Sequence, residues 1–501
     1  MNRSFVQKLA VFILAVTLSP AAFPAQTYYV STAGSDSWPG TFLQPFRTVQ
    51  HAADGVSAGD TVLIRGGTYN EYVTFNRSGT AGAPIVFKAY PGETVTFDGT
   101  GLEWRYGLNI EGSDYLTFEG LTVRNYSREG TRGFGFVSWG QSRGITLRRM
   151  EFAAVGGAVK FHAGGDDILL EDIFAHDYDW GAFDCGPEGP GTNLTLRRFC
   201  AWGPGTGNDT GVDGFAVETG ANILVEDCFS ADHPGDGFDF KSDQTRLVRV
   251  VSRRNARNNI KLWGRDSSIV NSLSSDSGLT NLVLAEWGSY TVANCLFANS
   301  RSYGYLAECG YGGGTTAAAF YNTIFYNDRP EMGGTLVYFG AGVTLAARSN
   351  IYYNPYREDA VICAAFLSPE KCFSGEEIND GTWGTVSGRG ENDLYADPRF
   401  LDPAAFDYHY HPSSPAIDNA LPEVSPSVDL DGISRPQRQG YDRGPYEYGA
   451  DLNDDGRVDS EDLGILLSAW GGGGEADLDG DGTVGKGDLK LMIKSEVRSK
   501  K

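Results

Sequence analysis

Three stretches of the chain carry acidic, amide and amine side chains at nearly constant spacing: Asp213-Gly214-Phe215-Ala216, Asp236-Gly237-Phe238-Asp239 and Asn258-Asn259-Ile260-Lys261. Phe215, Phe238 and Ile260 are 23 and 22 residues apart. If the stretches are strands on successive turns of a coil, these apolar residues form one inward column. Ala216, Asp239 and Lys261 then form an outward column, because strand side chains alternate faces. Phe183-Asp184 and Val159-Lys160 extend both columns upstream. Asp213, Asp236 and Asn258 fall in a further column two residues earlier, near the turn that leads into each strand. With rungs about 4.8 Å apart, Asp213, Asp236 and Asp239 converge on one point, with Asp184 close by and Lys261 one rung away. Carboxylates stacked so closely repel, and a bound cation, Ca²⁺ by ligand chemistry, is what would make them stable together. An amine beside that cation is disfavoured as ammonium and so is prepared to accept a proton. The combination suits abstraction of the proton alpha to a uronate carboxylate, followed by β-elimination of the glycosidic bond without an attacking water. Arg253, Arg254 and Arg257 precede Lys261 in the same coil and are candidates for bidentate binding of substrate carboxylates. The alternative for them is a solvated turn, and for the aspartates, Asp-Gly turn chemistry with a surface ion pair to Lys261.

A coil is what the rest of the chain describes. A phrase of alternating apolar residues, a polar pair and a further apolar residue recurs at Leu116, Ile145, Ile168, Leu194, Ile223, Leu247, Ile269 and Thr291, with successive spacings of 22 to 29 residues. That period marks a solenoid, and the alternation within each copy is that of strands. No turn can bury its apolar edge alone, so the turns stack on a shared core. The predicted fold is all-β, a right-handed parallel β-helix. Tyr28–Gly40, Pro45–Gln50 and Gly59–Tyr69 read as a strand–helix–strand opening that caps the first coil. The mature domain is expected over 26–450, with a closing segment at about 384–450.

On these residues the chain resembles the family 9 pectate lyases, β-helix enzymes acting on polygalacturonate, over most of 27–300. The resemblance rests on Asp213-Gly214-Phe215, Asp236-Gly237-Phe238-Asp239 and Ile260-Lys261-Leu262. It implies that Asp213, Asp236 and Asp239 ligate one Ca²⁺ and that Lys261 is the Brønsted base. The family has two adjacent aspartates before Gly-Phe-Asp, whereas this chain has Gly235 and Asp236; Asp232, His233 or Asp184 is the expected substitute ligand. Other readings are an alginate- or rhamnogalacturonan-type lyase, a β-helix glycoside hydrolase working through paired acids, or a non-catalytic glycan-binding β-helix. No segment of the polygalacturonase Gly-His-Gly or Arg-Ile-Lys kind follows the aspartates.

The C-terminal stretch holds a second metal signature. Asp451, Asn453, Asp455, Asp459 and Asp462 occupy loop positions 1, 3, 5, 9 and 12, with Gly456 at 6 and the Arg457 carbonyl at 7. Asp477, Asp479, Asp481 and Asp488, with Gly482 and the Thr483 carbonyl, repeat the pattern 26 residues later. Oxygen ligands around a sharp glycine turn suit Ca²⁺, and helical apolar spacing follows each loop. The stretch resembles a type I dockerin over 451–493, which implies two further Ca²⁺ ions and a cohesin-type partner; 494–501 reads as a basic tail. Three basic side chains stand against eleven acidic ones between 451 and 490, so about a third of the chain's net charge of −23 sits with these loops.

That net charge argues against nucleic acid and anionic membranes as partners. The expected partner is an acidic plant or algal polysaccharide, met by a monomer. Residues 1–25 have the basic start, short apolar run and small-residue end of a secretory signal, so a secreted, extracellular (or periplasmic or surface-attached) protein is expected. No apolar run reaches the roughly 18 residues of a membrane span. Seven cysteines leave at least one free thiol; Cys363 and Cys372 are close enough in sequence to pair, and the others read as small buried residues.

Overall fold

The computed structural model describes residues 24–102, 106–126, 133–186, 188–204, 211–284, 287–301, 305–310, 316–330, 336–339, 343–354, 361–363, 378–380, 394–437, 440–453, 458–474, 476–478 and 482–498. The signal segment except its last two residues, and Cys372 with its expected bond to Cys363, lie outside these residues.

The described chain winds as an all-β parallel solenoid. Twelve short strands, from Val73–Phe75 to Val361–Cys363, stack in parallel as one sheet. The turns then contribute a second and a third strand, joined as one in Thr146–Val155, Gly165–Tyr178 and Gly191–Trp202 and separate in Gly220–Glu226 and Phe229–Ala231, which pair with Asp243–Val248 and Val251–Arg253 of the next turn. The alternating apolar pattern explains the inward columns. Phe215 and Phe238 are fully buried, and their rings stack at 4.8 Å with planes 13° apart. The polar pair in each repeat sits at the corner between the second and third strands. Its second member takes the left-handed backbone: Asp172, Arg198, Asp227 and Arg249 have φ between 50° and 56°. Asp and Asn tolerate that conformation better than most residues, and the arginines there are held by ion pairs to the turn above, Arg249 to Asp227 and Arg198 to Asp172.

Behind the site the interior turns polar. Ser230, Ser252 and Ser274 stack in register, each donating its hydroxyl to a backbone carbonyl of Gly237, Asn259 or Asn281. Asn255, Asn259 and Asn281 are fully buried beside them. Asn259 Nδ2 donates to Ser274 Oγ at 3.0 Å and to Asn281 Oδ1 at 2.9 Å. These ladders satisfy the backbone of the turn that carries Asn258 and Asn259, as buried polar groups require, and fix where the following strand begins.

Helix α1 (Val49–Gly55), N-capped by Thr48, buries Val49, Ala52 and Ala53 at the start of the coil. The closing segment behaves differently from a simple end cap. Tyr408, Tyr410, Tyr446 and Tyr448 pack on Leu296, Ile324 and Ile351, which are outward residues of the third-strand column. That flank is apolar and cannot face water, so the segment lies along it. Two helices follow, α2 (Ser460–Ser468) and α3 (Lys486–Arg498), with Leu466, Leu478, Val484 and Met492 as their shared core. Helix α3 continues past the expected boundary at 493. No helix among the described residues is long and apolar enough to cross a membrane.

Candidate functional site

Strands Phe183–Cys185, Phe215–Val217, Phe238–Phe240 and Ile260–Leu262 are consecutive rungs of the twelve-stranded sheet. Asp184 lies opposite Ala216, Ala216 opposite Asp239, and Asp239 opposite Lys261. The outward column therefore runs Lys160, Asp184, Ala216, Asp239, Lys261 and continues through Val283, Glu308 and Tyr338.

Asp213, Asp236 and Asn258 make a ladder at the head of these strands. Asp213 Oδ1 accepts the Asp236 N–H at 2.6 Å. Asp236 Oδ1 accepts the Asn258 N–H at 2.9 Å and its side-chain amide at 3.0 Å. Asn258 Oδ1 accepts the Thr280 N–H at 3.3 Å. Each side chain is thus fixed by the rung below through one oxygen. One ligand oxygen from each of Asp213, Asp236 and Asp239 lies within 4.8 Å of the others. Asp239 is buried: its Oδ2 accepts from Lys261 Nζ at 3.0 Å and lies 3.2 Å from Lys241 Nζ. Its Oδ1 is buried without a hydrogen-bond partner. A carboxylate oxygen left bare in that position is expensive unless a cation meets it. Three hard oxygen donors around such an atom fit Ca²⁺.

The electrostatics describe the same crowding. Burial, then the charges of Asp236 and Asp239, push the Asp213 carboxyl up to about 7. Burial also raises Asp236, against the Asn258 N–H that favours its ionised form. Lys261 Nζ lies 3.6 Å from Asp236 Oδ2 and 4.4 Å from the centre of the Trp263 ring. Lys241 also reaches Glu218, at 2.5 Å; burial works against its charge, but Asp239 and Glu218 hold it above the ordinary lysine value.

The other expected site residues are placed elsewhere. Asp184 is paired with Lys160 at 2.6 Å, two rungs from Asp239, and is not one of the clustered carboxylates. Asp232 sits on a left-handed corner, bound to Arg254 at 2.6 Å. His233, the next residue, turns into the interior, where Tyr178 and Asn255 hold it and burial lowers it to about 4. None of the three takes the place of the aspartate that Gly235 lacks. A Cβ at Gly235 would come within 2.4 Å of Asp213 Oδ1 and 2.6 Å of the Val212 carbonyl, so the ladder itself occupies that space. Arg253 lies half-buried with its guanidinium 4.4 Å from the Phe406 ring of the closing segment. Of the three arginines, Arg257 is the one whose charge favours the ionised form of Asp236 among its main influences. Lys241 and Glu218 were absent from the residues expected here. The signal for Lys241 was its position two residues after Asp239, on the same strand face.

At the C-terminus Asp462 is buried, its Oδ1 accepting the N–H groups of Leu452 and Asn453 and its Oδ2 that of Asp459, the N-cap of α2. Asp488 plays the same part for Leu478 and Gly485. Asp451, Asn453, Asp477 and Thr483 are also in described stretches, whereas Asp455, Arg457, Asp479 and Asp481 lie outside the described residues.

Fold and site together define a parallel β-helix protein with a carboxylate–lysine centre on the outer face of one sheet. The sequence profile described as "Pel9A-like, right handed beta helix region" matches residues 28–331, more than half of the chain, and the chain belongs to that family. It is 26% identical over 333 residues to pectate lyase PEL9 of Emericella nidulans, covering 53% of this chain and 80% of that protein. It is 37% identical over 126 residues to the uncharacterized protein YwoF of Bacillus subtilis, a match that spans only 27% of YwoF and 24% of this chain. The structure of XylC in complex with xylose superposes with a TM-score of 0.51 at 12% identity, covering 84% of this chain and 98% of that one, a likeness of fold alone.

Proposed function

We propose that the chain is a secreted polysaccharide lyase that cleaves a uronate-containing polymer, polygalacturonate first among candidates, by Ca²⁺-assisted β-elimination. The observation that carries this reading is Lys261 Nζ, 3.0 and 3.6 Å from two of three clustered carboxylates, in a family that includes the sequence of this coil. Asp213, Asp236 and Asp239 would hold the Ca²⁺. When bound, the ion would neutralise the substrate carboxylate and the charge that builds on it as the alpha proton leaves. In this structure Lys261 Nζ contacts the carboxylates of Asp236 and Asp239; with those carboxylates turned to a bound cation, its amine would be the base. Its Nζ then takes the proton from C5, the C5–H electrons form the C4–C5 double bond, and the C4–O bond breaks toward the neighbouring sugar. Arg257, near Asp236, and Lys241 add positive charge beside Lys261 at this face of a chain of net −23.

The segment 451–493 we read as a dockerin-like tether with two Ca²⁺ loops and a cohesin-type partner, supported by the equivalent roles of Asp462 and Asp488. The test of the activity is ultraviolet absorbance of the unsaturated product from polygalacturonate, alginate and rhamnogalacturonan, with and without chelator. Calcium-dependent absorbance is expected; new reducing ends without absorbance would identify a hydrolase, and binding without cleavage a non-catalytic scaffold.

A further inference from the structure

Beyond Lys261 the outward column changes character. Val283, Glu308 and Tyr338 occupy the next three rungs. In the column headed by Asp213 and Asp236, the backbone passes through Asn258 and Thr280 to Tyr305. Tyr305 stacks on Tyr338, ring centroids 5.2 Å and planes 19° apart. Glu308 stands beside this stack, part-buried, and no cation pairs with it among the described residues. Burial is the sole influence on its ionisation, and raises it. The contrast with the centre is sharp in charge: Lys241, Lys261 and Arg257 lie on one side, and a single unpaired carboxylate on the other.

We propose that Glu308, Tyr305 and Tyr338 form a subsite for an uncharged sugar residue, two rungs beyond Lys261, on the same polymer whose uronate is cleaved there. The inference rests on the lyase reading and moves its preferred substrate from the fully ionised polygalacturonate chain to one that also carries uncharged residues. Two rungs correspond to about 10 Å along the sheet, within reach of one bound oligosaccharide. A carboxylate accepts hydrogen bonds from sugar hydroxyls through both oxygens, and tyrosine faces provide a flat apolar surface for the C–H side of a pyranose ring. A uronate in this position would set its carboxylate against Glu308 with no counter-cation, in a partly desolvated place where the repulsion is poorly screened. The preferred substrate therefore mixes uronate and uncharged residues, either as an alternating copolymer or as a partly esterified uronan.

The test measures affinity in place of turnover, by calorimetry with the full chain carrying Lys261→Ala in the presence of Ca²⁺. The probes are length-matched oligosaccharides: de-esterified oligogalacturonate, partly methyl-esterified oligogalacturonate, and a fragment alternating uronate with a neutral sugar. At least one of the two partly uncharged probes is expected to bind about tenfold or more tighter than the de-esterified one, and which one does so identifies the source. Adding Glu308→Gln should shrink that ratio to within about twofold, and Glu308→Lys should invert it. Equal or tighter binding of the de-esterified probe, a ratio unmoved by either substitution, or no binding of any probe would overturn the proposal. Failure of the lyase reading shows separately, as absence of unsaturated product from the unsubstituted protein.

Discussion

The crowded carboxylates predict an inverted pH dependence of stability in the metal-free protein. Asp213 titrates at about 7 in the fold, against an ordinary 3.8. Between those values the folded protein holds a proton that the unfolded chain has already released. Stability is therefore full at low pH and falls as pH rises from about 4 to about 7. The gap corresponds to about 4 kcal/mol, and partial exposure of the side chain reduces this to roughly 2–4 kcal/mol. Asp429, lifted by burial to about 7, adds to the same slope, so the wild-type curve alone is not diagnostic. Asp213→Asn isolates the contribution: it keeps an oxygen for the Asp236 N–H and cannot ionise. The assay is urea denaturation of chelator-treated protein from pH 4.5 to 7.5. The stability of Asp213→Asn relative to wild type should rise across that range by roughly 2–4 kcal/mol. Calcium at a hundred times its Kd should add about 2.7 kcal/mol to wild type and less to the variant, the C-terminal loops being common to both. A difference flat in pH, or equal stabilisation of both proteins by calcium, would refute the assignment of these three carboxylates to one cation.

Other substitutions test the remaining parts. Lys261→Ala should lower the rate of unsaturated product formation by roughly 10²–10⁴-fold while the far-ultraviolet circular dichroism is unchanged, since the side chain lies on the outer face. Gly235→Ala should destabilise the protein by about 1–3 kcal/mol in urea denaturation, because its Cβ meets Asp213 Oδ1 at 2.4 Å. Asp232→Ala should cost about 1–2 kcal/mol, from its left-handed backbone and its part-exposed pair with Arg254, and leave calcium affinity at the coil unaltered by calorimetry. Asp462→Ala strands three N–H groups and should destabilise the segment after 450 by roughly 3 kcal/mol, seen as limited proteolysis there with the coil intact.

Much of the site was legible because a solenoid is nearly one-dimensional: a residue's neighbour across the sheet lies one period away in sequence. Period-two alternation and the 23- and 22-residue spacing of Phe215, Phe238 and Ile260 were enough to put Asp239 beside Lys261 and Asp213 above Asp236. Residue type at those positions is what the proposed chemistry rests on. The same logic applied one residue pair further along the strand reaches Lys241, which shares Asp239 with Lys261.

What only the tertiary structure decided is which charges remain free. Lys160 claims Asp184 and Arg254 claims Asp232, choices among several partners of equal sequence distance that depend on side-chain direction at each corner. His233 turns inward because the polar ladder of Ser230 and Asn255 receives it. Arg253 is covered by Phe406 from more than a hundred residues downstream, since an apolar outer flank had to be buried by some part of the chain. Repeat spacing fixes columns; long-range packing selects which members of a column are left outside the ion pairs and the core.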